Sequence, residues 1–227
     1  MKKDYRYKDM NRRSALTLSR TKLIDDNREF LTGKSLLEFG VYMGHSLTEF
    51  SILYGVRNMP RIFFGFDSFK GLPEEKLDKN NPTYWSSGRF NISSIKEDTI
   101  EKLKYLLPSI NIISGWFNDS LNKEIVTKVK QHEIGIIHLD CDIYTSTLYV
   151  WEWLITNDLL SDGTLIVYDD WGGYHEKNVS EYECGQGRAH KEICEKYGLT
   201  LEFISCDVIQ EKYHEVCMFR YRKNYIL

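Results

Sequence analysis

The chain has 227 residues, of which 42% are apolar and 28% are charged, and its formal net charge is −3. These values are typical of one folded α/β domain; they exclude a disordered chain and give no reason to expect a nucleic-acid or membrane partner. No apolar run is long enough to span a bilayer. The five cysteines lack CxxC spacing, so no zinc site is expected. Residues 1–13 do not resemble a secretory signal, which predicts a cytoplasmic protein with reduced cysteines.

The first segment, residues 9–31, has the pattern of a helix, and Gly33 follows it as a stop signal. Its apolar residues are sparse, so we expect an outer helix or an arm, with a face that is compatible with a homodimer contact. We therefore divide the chain into an N-terminal helical arm, 1–33, and a main domain, 34–227.

Strand and helix patterns then alternate five times, and two further strands close the chain. This order predicts an α/β fold: a Rossmann-like, doubly wound sheet of seven strands, mostly parallel, with an antiparallel C-terminal edge. Two long polar loops, 68–93 and 172–187, contain glycine and aromatic residues, and we expect them to act as lids. The predicted strands are 35–41, 61–67, 110–114, 135–140, 164–168, 199–206 and 213–221; the predicted helices after residue 33 are 45–54, 94–107, 118–131, 145–157 and 188–197.

The first strand leads into a turn spaced by glycines, LLEFGVYMGHS, residues 36–46. Glu38 and Gly40 lie at the strand tip and Gly44 lies in the turn, where glycines let a ligand approach the backbone. The spacing is ExGxxxG rather than GxGxxG, which disfavours a dinucleotide. An acid at this tip suits a cationic amino group. The next strand ends in Asp67, a position at which a carboxylate commonly holds ribose hydroxyls.

Acidic residues also end two later strands. Asp140 and Asp142 follow GIIHL, and Asp169 and Asp170 follow GTLIVY. Neighbouring parallel strands would gather these carboxylates in one small volume, which is unfavourable unless a cation or a proton is present. Asp140 and Asp142 alone would be read as a strand end and a helix N-cap, but the second acidic pair favours a metal-assisted active site. For His138 we favour a structural hydrogen bond over metal ligation.

Five motifs occur in a fixed order: ExGxxxGxS, FGFDSFKGLP, SGWFNDSL, LDCDIYTST and YDDW. Together they resemble the macrocin O-methyltransferase family, enzymes of sugar and antibiotic tailoring that depend on S-adenosylmethionine and magnesium. The resemblance runs from about Leu36 to about Trp171. Catechol-type O-methyltransferases share the glycine turn and the use of a metal ion, but the rest of their sequence pattern fits this chain less well.

The resemblance implies roles for individual residues. The methionine part of S-adenosylmethionine would lie against the glycine turn, the ribose would bind at the end of the second strand, and two aromatic residues would border the adenine. Mg²⁺ would be held by three aspartates, and a fourth would act as general base. The cofactor residues are Glu38, Gly40, Gly44, Ser46, Asp67, Ser68, Trp116 and Phe117; the metal ligands are Asp140, Asp169 and Asp170; the base is Asp142.

The function that follows is methylation of a hydroxyl on a sugar, a sugar-containing natural product or a polysaccharide precursor. Two alternatives from other classes stay open at this point. One is an oxidoreductase or epimerase that uses a nicotinamide cofactor, which the missing GxGxxG disfavours. The other is a non-catalytic nucleotide-binding protein of the same fold. Arg188 and His190 could also face the substrate.

Overall fold

A computed structural model describes residues 5–60, 62–171, 179–210 and 214–223. The described residues form a seven-stranded sheet, which confirms the predicted fold. The strands are β1 (Ser35–Phe39), β2 (Phe63–Asp67), β3 (Ile110–Ser114), β4 (Ile134–Leu139), β5 (Leu165–Tyr168), β6 (Thr200–Gln210) and β7 (His214–Arg222). The helices are α1 (Tyr5–Asp26), α2 (Arg28–Leu31), α3 (His45–Gly55), α4 (Lys96–Leu106), α5 (Phe117–Ser120), α6 (Lys123–Val129), α7 (Tyr144–Thr156) and α8 (Gly185–Tyr197).

The strand order across the sheet is β3-β2-β1-β4-β5-β7-β6, and β1 to β5 are parallel while β7 is antiparallel to both neighbours. Every residue of β1, β4 and β5 is buried, as expected of parallel strands with both faces covered. Two apolar clusters cover the two faces. The strand order reverses between β1 and β4: β2 and β3 follow on one side of β1, and β4 and β5 lie on the other. The carboxyl ends of β1 and β4 therefore flank the crevice in which open α/β sheets bind ligands.

The N-terminal helix is a packed part of the core. Leu16, Leu23 and Ile24 of α1 belong to one of the two apolar clusters. The predicted single helix is divided at Asn27, whose side-chain amide donates to the carbonyl of Leu23 (2.8 Å). The division of the chain at residue 33 stays a prediction, but α1 contributes to the same core as the sheet.

Two local predictions need correction. The helix expected over 118–131 is two helices, α5 and α6, because the side chain of Asn122 accepts from the backbone N–H groups of Glu124 (3.0 Å) and Ile125 (3.2 Å) and so starts a new helix. Part of the loop expected at 172–187, residues 172–178, lies outside the described residues, and α8 begins at Gly185 within the remainder.

The cysteines were all expected to be reduced, and for one pair this is wrong. Cys206 and Cys217 lie directly opposite each other in the β6–β7 register, with Cα atoms 4.1 Å apart, and form a disulfide. Cys141 and Cys194 are free thiols. Within the ranges that the structure describes, no helix is both long and apolar enough to cross a membrane.

Candidate active site

A cavity of about 1000 Å³ opens at the carboxyl ends of the parallel strands. Its wall contains most of the residues that the sequence assigned to the site, and Glu38 and Gly44 lie behind that wall. The walls come from the turn after β1, the end of β2, the start of α5, the segments after β4 and β5, and one face of α1. The predicted site residues that line the cavity are Gly40, Ser46, Asp67, Ser68, Trp116, Phe117, Asp140, Asp142, Asp169 and Asp170.

Gly40 brings β1 and β4 together at the edge of the cavity. Its φ angle is +96°, and its N–H donates to the carbonyl of Phe66 (2.9 Å). A Cβ atom at this position would lie 1.7 Å from the carbonyl oxygen of Asp140, which leaves no room for any side chain. The glycine therefore fixes the distance between the turn and the acidic strand end.

Replacing Gly40 by alanine is expected to lower the free energy of unfolding by at least about 3 kcal/mol, because backbone strain and a backbone clash add. Binding of S-adenosylhomocysteine should be lost with it. Gly198→Ala is the matched control: its φ is also positive (+63°), but a Cβ there meets nothing within 4 Å, so about 1 kcal/mol is expected. Denaturant unfolding measures both, and equal losses for the two variants would contradict the close approach.

Asp67 links the glycine turn to the loop after β2. Its Oδ2 accepts from the N–H groups of Val41 and Tyr42, both at 2.7 Å, and its Oδ1 accepts from the N–H of Phe69 (2.6 Å). An ionised carboxylate has about four acceptor sites, so these bonds leave capacity for a ribose hydroxyl. Asp67 thus shapes the turn, and its contact with ribose stays a prediction.

Aromatic side chains form the wall beyond β3. Trp116 and Phe117 are partly exposed and line the cavity at the start of α5. The Phe117 ring stands edge-on to Phe39, with centroids 5.8 Å apart. Gly115, with a φ of +146°, turns the chain from β3 into this wall. A flat apolar surface of this kind suits the face of a purine ring.

Glu38 is fully buried behind Ser46. The Ser46 hydroxyl donates to Glu38 Oε1 (2.9 Å), and His138 Nδ1 lies 2.9 Å from Glu38 Oε2. The other ring nitrogen, Nε2, lies 3.4 Å from Asp169 Oδ1. Burial opposes protonation of the imidazole, but the hydrogen bonds to Asp169 and Glu38 outweigh it and raise the pKa of His138 to about 10. The hydrogen bonding expected of His138 is therefore present, and Glu38 supports Ser46 from behind.

Four aspartates meet at the ends of β4 and β5. Carboxylate oxygens of Asp140, Asp142 and Asp170 lie within 4.8 Å of one another, and so do ligand atoms of His138, Asp140 and Asp169. Asp142, Asp169 and Asp170 are 5–8% exposed, and Asp142 has a φ of +61°, a strained conformation of the kind found at functional sites. Burial and the neighbouring Asp169 raise the pKa of Asp140 well above its usual value, and burial and Asp170 do so for Asp142.

Such a group of like charges is favourable when a cation joins it. Carboxylate oxygens are the ligands that Mg²⁺ prefers, so the donor set fits this ion.

Two supporting residues were missed at the sequence level. Gln186 is fully buried; its Oε1 accepts from the N–H of Asp170 (3.1 Å) and its Nε2 donates to the carbonyl of Leu139 (3.0 Å). Arg20 of α1 is 4% exposed and donates to Asp169 Oδ1 (3.1 Å). Neither residue belongs to one of the five motifs. Arg20 does share a helix face with Leu16, Leu23 and Ile24, and this spacing could have indicated that its side chain is buried.

The long loop after β2 is tied to the helices that start at the acidic site. Glu75 accepts from the backbone N–H and the hydroxyl of Thr145 at the start of α7 (2.8 and 2.6 Å), and Asp78 accepts from the N–H of Gly185 at the start of α8 (2.8 Å). Arg188 and His190 do not line the cavity. Arg188 pairs with Glu192 (2.8 Å), and His190 packs among aromatic rings, where burial lowers its pKa to about 4.

Glu75→Gln is expected to release the loop and to speed amide exchange over residues 69–93, since the amide keeps neither the charge nor both acceptor oxygens. Burial alone would raise the pKa of Glu75, but the bonds from Thr145, Leu77 and Asp78 outweigh it and lower the pKa. The loop contact is therefore present above the unfolded pKa and is lost as the pH falls through the lowered folded value. Glu74→Gln, at an exposed neighbour, is the control. Equal exchange in both variants would contradict the contact.

The sheet order and the cavity at the carboxyl ends of the parallel strands define an α/β protein with a Rossmann-like fold. The family described as Macrocin-O-methyltransferase (TylF) matches residues 17–193, so the chain belongs to this family and is an O-methyltransferase. No curated protein matches the chain significantly.

Several solved structures share the fold. CalS11, a calicheamicin methyltransferase, is 19% identical over 89% of this chain and 79% of its own, with a TM-score of 0.62. The O-methyltransferase NovP is 17% identical over 92% of this chain and 80% of its own, with a TM-score of 0.61. TomG from Streptomyces achromogenes, in complex with S-adenosylmethionine, is 12% identical over 90% and 80%, with a TM-score of 0.51.

Proposed function

We propose that the protein transfers the methyl group of S-adenosylmethionine to a hydroxyl of a sugar, a sugar-containing natural product or a polysaccharide precursor, and that Mg²⁺ is required. The observation that carries the proposal is the meeting of four aspartates with the glycine turn in one cavity. A related structure supports the acceptor class, since CalS11 is described as a TDP-rhamnose 3'-O-methyltransferase.

The cofactor is proposed to lie along the first two strand ends. Gly40 and Ser46 would border its methionine part, with Gly44 shaping the turn between them and Glu38 acting through Ser46. Asp67 and Ser68 would hold the ribose, and Trp116 and Phe117 would cover the adenine. The cavity volume of about 1000 Å³ supports this placement, because it exceeds what the cofactor alone needs and leaves room for an acceptor.

The cation is proposed to sit among the four aspartates, in one of two ligand sets. The first is Asp140, Asp169 and Asp170, which the resemblance implied; the second is Asp140, Asp142 and Asp170, whose carboxylate oxygens form one group. Bound Mg²⁺ would lower the pKa of the acceptor hydroxyl and fix its position. In the first set Asp142 acts as the general base. Asp169 shares a group of possible ligand atoms with His138 and Asp140, and its Oδ1 also contacts Arg20.

The chain's own residues would perform three tasks. The fixed turn around Gly40 would orient the sulfonium, the cavity walls would exclude water, and a carboxylate of the acidic group would accept the proton of the hydroxyl. General-base assistance of this kind contributes roughly 10²- to 10⁴-fold in rate.

The two alternatives from other classes are not proposed, since the family match identifies an O-methyltransferase. A homodimer, a cytoplasmic location and the absence of a nucleic-acid partner remain predictions of the sequence. The loop over 69–93 is proposed as a lid; the segment 172–178 of the second predicted lid lies outside the described residues.

The test is a mass-spectrometric search for a gain of one methyl group across nucleotide sugars, free sugars and glycosylated natural products. Each acceptor is incubated with S-adenosylmethionine and Mg²⁺, and in parallel with excess chelator. Methyl gain on a sugar hydroxyl that chelator abolishes is the expected result. Full transfer in chelator would exclude the metal requirement, and transfer only to acceptors without sugar would exclude the proposed substrate class.

A further inference from the structure

The first turn of α8 has the sequence GQGR, residues 185–188, and lies behind the acidic site. Gly185, Gln186 and Gly187 are buried, and Arg188 is partly buried. None of these four residues lines the cavity, so the turn does not contact the acceptor directly. Burying the polar amide of a glutamine is unfavourable unless both of its ends are hydrogen-bonded. The partners of this turn therefore indicate what it does.

The side chain of Gln186 connects the ends of β4 and β5. Its Nε2 donates to the carbonyl of Leu139 (3.0 Å), and its Oε1 accepts from the N–H of Asp170 (3.1 Å). Leu139 directly precedes Asp140, and both Asp140 and Asp170 belong to each of the two proposed ligand sets. One buried amide thus fixes the distance between the backbone segments that carry these two aspartates.

The turn packs closely on the chain that follows β5. The N–H of Gly187 donates to the carbonyl of Trp171 (3.2 Å). A Cβ atom at Gly187 would lie 2.3 Å from the carbonyl oxygen of Glu181, so the backbone there leaves no room for a side chain. The position of the Gln186 amide therefore depends on where this turn is held.

The long loop after β2 holds the turn from its other side. The Asp78 side chain is fully buried; its Oδ2 accepts from the N–H of Gly185 (2.8 Å) and its Oδ1 accepts from the N–H of Asn80 (2.9 Å). Arg188 donates to the carbonyl of Leu77 (3.0 Å). A carboxylate bonded to an N–H at a helix start is favoured both by its charge and by the helix dipole. The loop thus fixes the start of α8.

We infer that Asp78 and Gln186 are positioning residues for the metal site: Asp78 holds the first turn of α8, and Gln186 on that turn sets the separation of Asp140 and Asp170. The inference rests on the proposed Mg²⁺ requirement. Asp78 lies outside the cavity and outside the group of four aspartates, so it acts on the cation only through the turn. Docking of the loop and assembly of the metal site are then one event.

The first test is calorimetric titration of Mg²⁺ into the purified chain in the presence of S-adenosylhomocysteine. Asp78→Ala and Gln186→Met should each weaken Mg²⁺ binding by about tenfold or more, as loss of residues that orient metal ligands commonly does. The double variant should bind within about twofold of Gln186→Met alone, because Asp78 acts through Gln186.

Two matched controls remove the same chemical groups elsewhere. Asp162→Ala deletes an exposed carboxylate that also accepts from a backbone N–H, that of Lys223 (2.9 Å). Gln131→Met replaces an exposed glutamine outside the cavity. Neither control should change the Mg²⁺ affinity.

The second test needs no metal and measures amide exchange at Asp170, the donor to Gln186. Exchange should be about fivefold faster in Gln186→Met and in Asp78→Ala, while exchange in β3 stays as in the wild type. A merely structural role would instead speed exchange across the whole sheet, and the losses of Mg²⁺ affinity in the two single variants would then add in the double variant.

Either of those patterns would overturn the inference, and so would wild-type Mg²⁺ affinity in folded Asp78→Ala. Asp78→Asn, which keeps one acceptor oxygen, gives the answer if Asp78→Ala does not fold: about threefold weaker Mg²⁺ binding is expected, and unchanged binding overturns the inference. The two proposals fail in different ways. Absence of Mg²⁺ binding by the wild type would contradict the metal requirement, whereas equal Mg²⁺ binding by the wild type and all variants would contradict the positioning role alone.

Discussion

Asp170→Asn is expected to lower the rate of methyl transfer by roughly 10³-fold or more, because loss of a metal ligand removes several kcal/mol of stabilisation from the reacting hydroxyl. Asp170 is 5% exposed and belongs to the carboxylate group with Asp140 and Asp142. Its backbone N–H is held by Gln186, so asparagine should occupy the same place without moving the chain. Binding of S-adenosylmethionine should persist, since the proposed cofactor residues lie in β1 and the turn after it, at the start of α3, at the end of β2 and at the start of α5.

The measurement is single-turnover methyl transfer with an accepted substrate, together with calorimetric binding of S-adenosylhomocysteine. Asp98→Asn, an exposed substitution in the first turn of α4 and outside the cavity, is the control and should behave as the wild type. Full activity of Asp170→Asn would remove Asp170 from the reaction. Loss of both cofactor binding and activity would contradict the proposal that the cofactor and the cation bind to separate sets of residues.

Asp142→Asn separates the two metal assignments. If Asp142 is a ligand, as its place beside Asp140 and Asp170 supports, the variant should lose Mg²⁺ affinity as strongly as Asp170→Asn and turnover should fall roughly 10³-fold. The assignment made from the sequence, in which Asp142 is the base, predicts instead a loss of rate with unchanged Mg²⁺ binding. Asparagine tolerates the φ of +61° at this position, so the backbone should be preserved.

Calorimetric Mg²⁺ titration and single-turnover kinetics on the same preparation give both quantities. Weak Mg²⁺ binding with a low rate supports the ligand set Asp140, Asp142 and Asp170. Tight Mg²⁺ binding with a low rate would identify Asp142 as the general base and Asp169 as a metal ligand. An unaltered rate would exclude Asp142 from both tasks.

The parallel strands and the acidic strand ends could be predicted because each depends on local sequence. β4 and β5 are continuous apolar runs that end in aspartates, and a parallel sheet must bring those ends to one edge. The glycine turn is also local, since the φ of +96° at Gly40 admits glycine alone. The general position of the site followed from these two features and from the resemblance of the motifs.

The remaining features depend on contacts between distant parts of the chain, which local patterns do not specify. Arg20 contacts Asp169, which is 149 positions away in the sequence. The sequence predicts an outer arm for the helix of Arg20, because few residues of this helix are apolar. The disulfide requires the register of β6 against β7, which brings Cys206 opposite Cys217. The break before α6 arises because Asn122 caps a helix within a segment that otherwise has a continuous helical pattern. Which aspartates bind the same cation depends on differences of a few ångströms in side-chain position, and the spacing of residues in the sequence does not determine these.

The most direct test of the account is calorimetric titration of the purified chain with S-adenosylmethionine and, in parallel, with NAD, each with and without Mg²⁺. The account predicts that S-adenosylmethionine binds and NAD does not, because the turn after β1 has the ExGxxxG spacing and lacks the glycine pair that a pyrophosphate needs. Binding of NAD, or of neither compound, would contradict the reading of the glycine turn and Asp67 as a cofactor site and would leave the four aspartates without the function proposed for them.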